Sequence, residues 1–275
     1  MSPDAALPGG RSLAQAVVTA LVLLGLIVVC YFLGTDAFFV LATTVVLLAL
    51  YELLDAIKRA GKRPVVPFGL ACGLAMLLTA YFLRTAVLGG VIAITTLGAF
   101  LLALRPGRGE YPASDVAWTV LAVTWVSGGG AGAVSILDIV PGGLELLVAF
   151  VLTVAAGDIG AFFFGTNLGR HKMAPSISPN KSWEGFAGGL VAALAAGAFF
   201  GWWLDELTVI EALGIGAICG TFAPVGDLVE SMAKREIGIK DSGRMLPGHG
   251  GMLDRLDAIL FCAPLVYLYL RLVVL

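Results

Sequence analysis

Charge is scarce in this sequence. Only 13% of its 275 residues are charged, 59% are hydrophobic, and the formal net charge is −2. Soluble domains carry about 25% charged residues. The composition therefore excludes an ordinary soluble protein and indicates a polytopic membrane protein. Because no basic stripe with interleaved aromatic residues is present, nucleic acid is not an expected partner.

Cysteine is scarce as well. The four cysteines stand singly within apolar runs, at Cys30, Cys72, Cys219 and Cys262. None has the spacing of a metal-ligand pair, and none lies in a loop that a disulfide could cross-link, so we interpret them as small core residues. The first apolar run is as long as a membrane span, and no small-x-small cleavage site follows it. A signal peptide is therefore not predicted.

Long hydrophobic runs are what the chain has in abundance. About 20 apolar residues in a helix span the hydrocarbon core of a bilayer. Nine such runs occur, at 13–33, 37–56, 65–83, 86–104, 115–136, 145–165, 184–204, 208–230 and 252–274. The break at Arg84-Thr85 is the weakest, and without a turn there the count falls to eight. We predict an all-α polytopic membrane protein with about nine transmembrane helices.

The placement of basic residues tests this count. With the N-terminus in the cytoplasm and the spans alternating, all 17 basic residues except Arg84 and Arg271 fall in cytoplasmic segments. Cytoplasmic loops of membrane proteins are enriched in Lys and Arg in this way. The same topology predicts that five carboxylates from three spans approach the cytoplasmic face. They are Asp158, Asp227, Glu230, Asp254 and Asp257.

The stretch from Gly226 to Asp257 gathers much of the charge. Four of its acids form two pairs, Asp227 with Glu230 and Asp254 with Asp257, each three residues apart, and residues at that spacing share a helix face. Four cations (Lys234, Arg235, Lys240, Arg244), the acid Asp241 and the turn Pro247-Gly248-His249-Gly250-Gly251 lie between the pairs. Carboxylates beside cations and free backbone amides are suited to phosphate chemistry with a divalent metal ion.

This stretch resembles the signature of the phosphatidate cytidylyltransferases (CDP-diacylglycerol synthases). The matching positions, all at the family's spacing, are Ser231, Lys234, Arg235, Lys240, Asp241, Gly243, Pro247, His249, Gly250, Gly251, Asp254, Arg255 and Asp257. The segment from Ser178 to Gly185 resembles a second segment of the same family. Its hydroxyls, Lys181 and the free amides of a helix N-terminus could form a phosphate cradle. The alternative is an interfacial loop, with Lys181 as an anchor and Trp183 in the aromatic belt.

The resemblance implies the reaction of CTP with phosphatidate to give CDP-diacylglycerol and pyrophosphate, with Mg²⁺ as cofactor and a second cation as an option. The predicted catalytic residues are Asp227, Asp254, Lys234 and Asp241. The predicted metal ligands are Asp227, Asp254, Glu230, Asp257 and Asp158. The predicted substrate-binding residues are Ser178, Lys181, Ser182, Lys234, Arg235, Lys240, His249, Gly250, Gly251 and Arg255. The expected partners are CTP, phosphatidate and membrane lipids, and a homodimer is an option.

The chemistry is predicted for residues 141–275, as a catalytic region facing the cytoplasm from the inner membrane. Residues 1–140 are predicted to be membrane helices without readable chemistry. Glu52 and Asp55, near the end of the second span, are expected to pair with Lys58 and Arg59 at the interface, with a site role as the alternative.

Two other functions are compatible with buried acids. One is another CTP-dependent lipid transferase or kinase. The other is an ion-coupled transporter, which predicts polar residues near mid-bilayer and openings to both sides. The one-sided charge of this chain favours an enzyme over a transporter.

Overall fold

The computed structural model describes residues 6–7, 11–12, 22, 25–83, 87–105, 112–239, 243 and 250–274. Eight apolar helices form the body of the protein. They are α1 (Thr35–Arg59), α2 (Val66–Leu83), α3 (Leu88–Ala103), α4 (Pro112–Leu137), α5 (Gly143–Leu168), α6 (Trp183–Trp203), α7 (Val209–Glu236) and α8 (Asp257–Val274). Residues 25–33 are also helical. The strands form two short antiparallel ladders, β1 (Ala6–Leu7) with β2 (Arg11–Ser12) and β3 (Lys172–Ala174) with β4 (Ser178–Ser182).

The predicted all-α polytopic fold is confirmed. Each predicted span from the second to the ninth corresponds to one of these helices, and all except α3 are long and apolar enough to cross a membrane. Helix α3 has 16 residues, fewer than a typical span. Most of the first predicted span, 13–33, lies outside the described residues. Seven helices of spanning length are therefore seen in the described part of the chain.

The weakest predicted break, at Arg84-Thr85, also lies outside the described residues, but the helices on either side of it, α2 and α3, are described. Phe68, near the start of α2, packs against Gly98, near the end of α3. Two helices whose opposite ends touch in this way run antiparallel. The third and fourth predicted spans are therefore separate helices rather than one.

Small residues bring the helices close together, as lipid-embedded helices require. In α5 and α6, a Cβ at Gly160 would lie 2.8 Å from the carbonyl oxygen of Gly188. In α7 and α8, a Cβ at Gly226 would lie 2.8 Å from the carbonyl oxygen of Asp257 and 2.7 Å from the Cβ of Phe261. Only glycine allows this approach, and it sets the spacing of the two helices that carry most of the predicted site.

Charge is distributed unevenly between the two ends of the bundle. One end holds the C-termini of α1, α3, α5 and α7 and the N-termini of α2, α4, α6 and α8, together with the β3–β4 hairpin. Within 25–274, the described basic residues lie at this end, with Arg271 as the exception. The opposite end holds Asp36, which accepts a hydrogen bond from Tyr81, and the capping box of Thr208 and Glu211. The charge split predicted from the sequence is therefore present in the fold.

Candidate active site

Three carboxylates meet where α7 and α8 come together at the basic end of the bundle. Asp227 and Glu230 lie one turn apart on α7, and Asp257 is the first residue of α8. One carboxylate oxygen of each lies within 4.8 Å of the others. Glu230 and Asp257 are 3% and 8% exposed, whereas the side chain of Asp227 is 47% exposed. Oxygen ligands gathered at this distance could hold a hard divalent cation. We call these three residues the acid cluster.

Lys234 links the acid cluster to the turn before α8. Its Nζ lies 2.8 Å from Oε1 of Glu230, one helical turn earlier, and it also donates a hydrogen bond to Oδ1 of Asp254. The Lys234 side chain is only 14% exposed. Lys234 is therefore a largely buried cation between two acids.

Asp254 lies beside the acid cluster rather than within it. It belongs to a short 3-10 turn, Leu253–Arg255, and its Oδ2 accepts the Gly251 N–H at 3.0 Å. Burial opposes the charge on this carboxylate, but the charge and hydrogen bond of Lys234, together with the Gly251 N–H, outweigh that effect and hold the pKa of Asp254 well below its usual range. Asp254 therefore stays ionised, with both oxygens engaged by the protein.

The start of α8 differs from the prediction. The ninth span was expected to begin near residue 252, which would place Asp254 and Asp257 on one helix face. The helix begins only at Asp257, because the preceding residues, Leu253–Arg255, form a 3-10 turn instead of α-helix. Asp254 consequently contacts Lys234 and the Gly251 N–H, whereas Asp257 has a carboxylate oxygen within 4.8 Å of those of Asp227 and Glu230.

The segment from Ser178 to Gly185, the second one that resembles the family, contacts the acid cluster. Lys181, in β4, has its Nζ 2.7 Å from Oδ2 of Asp227 and 2.9 Å from the carbonyl oxygen of Pro224. Asp158, on α5, interacts electrostatically with Asp227, Lys181 and Arg255. The hairpin between α5 and α6 is thus tied to the acid-bearing part of α7.

The local structure around Lys181 is held by its neighbours. Ser182 is buried, and its hydroxyl caps α6 by accepting the Gly185 N–H at 3.2 Å. Glu184 accepts the backbone N–H groups of Arg170 and His171, and its Oε1 lies 2.6 Å from Nδ1 of His171. These bonds close the base of the β3–β4 hairpin, in which Ser178 is partly buried.

Known proteins show which family the chain belongs to. The model of the cytidylyltransferase family matches residues 14–273. The chain belongs to this family.

Individual relatives cover most of the sequence. The chain is 34% identical over 277 residues to the phosphatidate cytidylyltransferases of Mycobacterium bovis and Mycobacterium tuberculosis, which covers 96% of this chain and 90% and 84% of the relatives. It is 40% identical over 164 residues to that of Staphylococcus aureus, which covers 59% of this chain and 62% of the relative. The resemblance found in the signature is confirmed, and with it the prediction of a nucleotidyltransferase.

The remaining predicted residues of this cytidylyltransferase are placed as follows. Gly250 and Gly251 are buried, and Gly250 has φ +90°, a left-handed conformation that favours glycine. Arg235 and Arg255 are exposed at the basic end. The predictions for Lys240, Asp241 and His249 fall outside the described residues.

One residue of the site region had been given a site role only as the alternative. Asp55 pairs with Arg59 at 3.0 Å, as expected, but Glu52 is buried and accepts the backbone N–H of Leu253 at 3.1 Å. The expected pairing of Glu52 at the interface is therefore wrong. The sequence held a sign of this, because Glu52 has Ala56 at i+4 where Asp55 has a basic partner.

Proposed function

We propose that this protein is a phosphatidate cytidylyltransferase that transfers CMP from CTP to phosphatidate and releases pyrophosphate. Relatives that carry this name align with nearly the whole chain. The observation that carries the proposal is the contact between the segment from Ser178 to Gly185 and the stretch from Gly226 to Asp257. Nζ of Lys181 lies 2.7 Å from Oδ2 of Asp227 at the charged end of an apolar bundle. Such a place brings an anionic nucleotide next to the lipid phase.

The acid cluster is the proposed Mg²⁺ site. Asp227, Glu230 and Asp257 offer the hard oxygen ligands that Mg²⁺ prefers. Bound Mg²⁺ would neutralise negative charge on the phosphates of CTP. Asp254 and Asp158, also predicted as ligands, lie next to the cluster, and a second cation there remains part of the proposal.

The reaction asks little of a general base. An oxygen of the phosphatidate phosphate, already anionic, attacks the α-phosphorus of CTP, and the bond from that phosphorus to the oxygen bridging the β-phosphate breaks. The protein must place these groups in line and neutralise their charge. Lys181, at the edge of the acid cluster, is placed to bind the triphosphate, and the exposed guanidinium groups of Arg235 and Arg255 add positive charge at the same end.

The remaining predicted residues are proposed either to act at the phosphates of CTP or to position the site. Lys240, Asp241 and His249 are proposed to act at the phosphates. Lys234 and Ser182 are proposed to position the site, because Lys234 is buried between two acids and Ser182 caps α6.

The lipid tails are proposed to reach the site from the side. Ile159, Phe162 and Phe163 expose large apolar side chains on the part of α5 nearest the charged end. Apolar surface at this depth is suited to acyl chains, whose headgroup would then lie level with Asp158. The proposed catalytic region is accordingly 141–275.

The function is tested with purified protein, CTP, Mg²⁺ and phosphatidate in mixed micelles. We expect equal amounts of CDP-lipid and pyrophosphate, both dependent on phosphatidate. Diacylglycerol in place of phosphatidate serves as the control, since a lipid kinase would phosphorylate it and release CDP. Release of CDP, or absence of any CDP-lipid, would contradict the proposed reaction.

The proposed location is the inner membrane, with the charged end in the cytoplasm. Lys172 is exposed in the hairpin at the charged end, and Val140 is 85% exposed at the other end. In intact cells, a membrane-impermeant maleimide should label a Val140→Cys variant, and it should label Lys172→Cys only after permeabilisation. The native cysteines are buried, so the parent protein is the blank. Labelling of Lys172→Cys in intact cells would reverse the proposed orientation.

A further inference from the structure

Glu52 carries an acidic side chain into the interior from the half of the chain that was predicted to be membrane helices without readable chemistry. It is 3% exposed, on α1. A buried carboxylate in a membrane helix is costly unless hydrogen bonds compensate it. Its Oε2 accepts the N–H of Leu253 at 3.1 Å, 201 residues further along the chain. Glu52 is therefore bonded to the backbone of the signature.

The same carboxyl group touches the signature at a second point. A Cβ built on Gly243 would lie 2.6 Å from Cδ and 2.8 Å from Cγ of Glu52, which is well inside van der Waals contact. The contact gives a physical reason for glycine at this position of the signature. Glu52 thus bonds to Leu253 and lies against Gly243, at the two ends of segment 243–253.

Segment 243–253 leads directly into the active site. Asp254 follows Leu253, and it is the partner of Lys234. Glu52 also interacts electrostatically with Asp254 and Lys234. A displacement of the Leu253 backbone would therefore move Asp254 relative to Lys234 and the acid cluster.

We propose that Glu52 is a positioning residue, which clamps the two ends of segment 243–253 and so fixes Asp254 against Lys234. The kinetic part of the test rests on the proposed function. The structural part, hydrogen exchange of the segment, is independent of it.

The test compares Glu52→Gln and Glu52→Ala with Asp55→Asn, a control acid three residues along the same helix. We expect kcat to fall about 10-fold in Glu52→Gln and about 100-fold in Glu52→Ala, the range seen when groups that orient a site are lost. KM for CTP should change less than about 2-fold, since no contact with the nucleotide is removed. Amide exchange of Leu253 should speed up about 10-fold or more in Glu52→Ala, while α5 and α6 exchange as in the parent. Asp55→Asn should match the parent in both measurements.

A double variant tests the clamp at its other end. Gly243→Ala should lower activity in the parent because its methyl group overlaps Glu52. In the Glu52→Ala background the methyl group has room, so the same change should cost much less there. Equal costs in both backgrounds would overturn the proposal.

Two further outcomes would also overturn the clamp. One is parent-like exchange at 250–255 in Glu52→Ala. The other is faster exchange throughout the bundle in Glu52→Gln, which would make Glu52 a general fold residue. If the parent makes no CDP-lipid, the proposed function fails, and exchange alone then decides on the clamp.

Discussion

An Asp227→Asn variant is expected to lose about 100-fold or more in kcat while its melting temperature without metal stays level or rises. Asparagine keeps the size of the side chain but removes the charge that a hard cation requires. The oxygens of Asp227, Glu230 and Asp257 lie within 4.8 Å of one another. Removal of one charge from this group relieves repulsion when no metal is bound.

Activity across a Mg²⁺ titration and melting temperature in EDTA measure the two effects separately. Excess Mg²⁺ should restore little activity, because the ligand set itself is changed. Asp205→Asn, exposed at the opposite end of the bundle, is the control and should resemble the parent. A less stable Asp227→Asn protein with normal Mg²⁺ dependence would refute the proposed metal site.

Asp254→Asn provides a contrast within the same site. It leaves the buried Lys234 with one acidic partner fewer, so we expect its melting temperature without metal to fall. Opposite stability changes in the two Asn variants would separate a metal ligand from a residue that pairs with a buried cation. The same direction of change in both would argue against this division of roles.

A Lys234→Met variant is expected to lose about 3–5 kcal/mol of stability, the cost of breaking a buried ion pair from one side. The Lys234 side chain is 14% exposed and contacts both Glu230 and Asp254. Lys181→Met is the matched control. The partner of Lys181, Asp227, is partly exposed and can be solvated, so its loss should cost less than about 1 kcal/mol and should mainly raise KM for CTP.

Denaturant unfolding in one detergent, together with KM for CTP, distinguishes the two lysines. Addition of Glu230→Gln to Lys234→Met should recover part of the lost stability, because one unpaired buried acid is then neutral. Parent-like stability of Lys234→Met with a raised KM for CTP would instead make Lys234 a nucleotide-binding residue.

Much of the fold could be predicted from the sequence because the bilayer restricts it strongly. Apolar length predicted the helices, and the cost of charge in hydrocarbon favours acids such as Asp227 in the half of a helix nearest the charged end. Topology assigned Lys181 and the signature stretch to the same face, and the contact of Lys181 with Asp227 agrees with that assignment. These predictions depend on where residues lie along helices, which hydropathy reports directly.

The partners within the site could not be predicted in this way. The spacing of Asp254 and Asp257 suggested that both lie on one helix face. Instead, Asp254 belongs to a 3-10 turn and accepts a hydrogen bond from Lys234. Composition does not show such a turn, because it depends on the Gly251 N–H and the buried Leu253. The bond from Glu52 to Leu253 joins residues 201 positions apart, and only the packing of α1 against the signature brings them together.

The one-sided charge of the bundle also determines where the lipid must be. If phosphatidate reacts at the end that holds Lys181 and Asp227, its headgroup enters there, and the headgroup of the product is formed there. Substrate and product then belong to the same leaflet, and no phosphate has to cross the hydrocarbon. The enzyme would draw on the lipids of one monolayer and return its product to that monolayer.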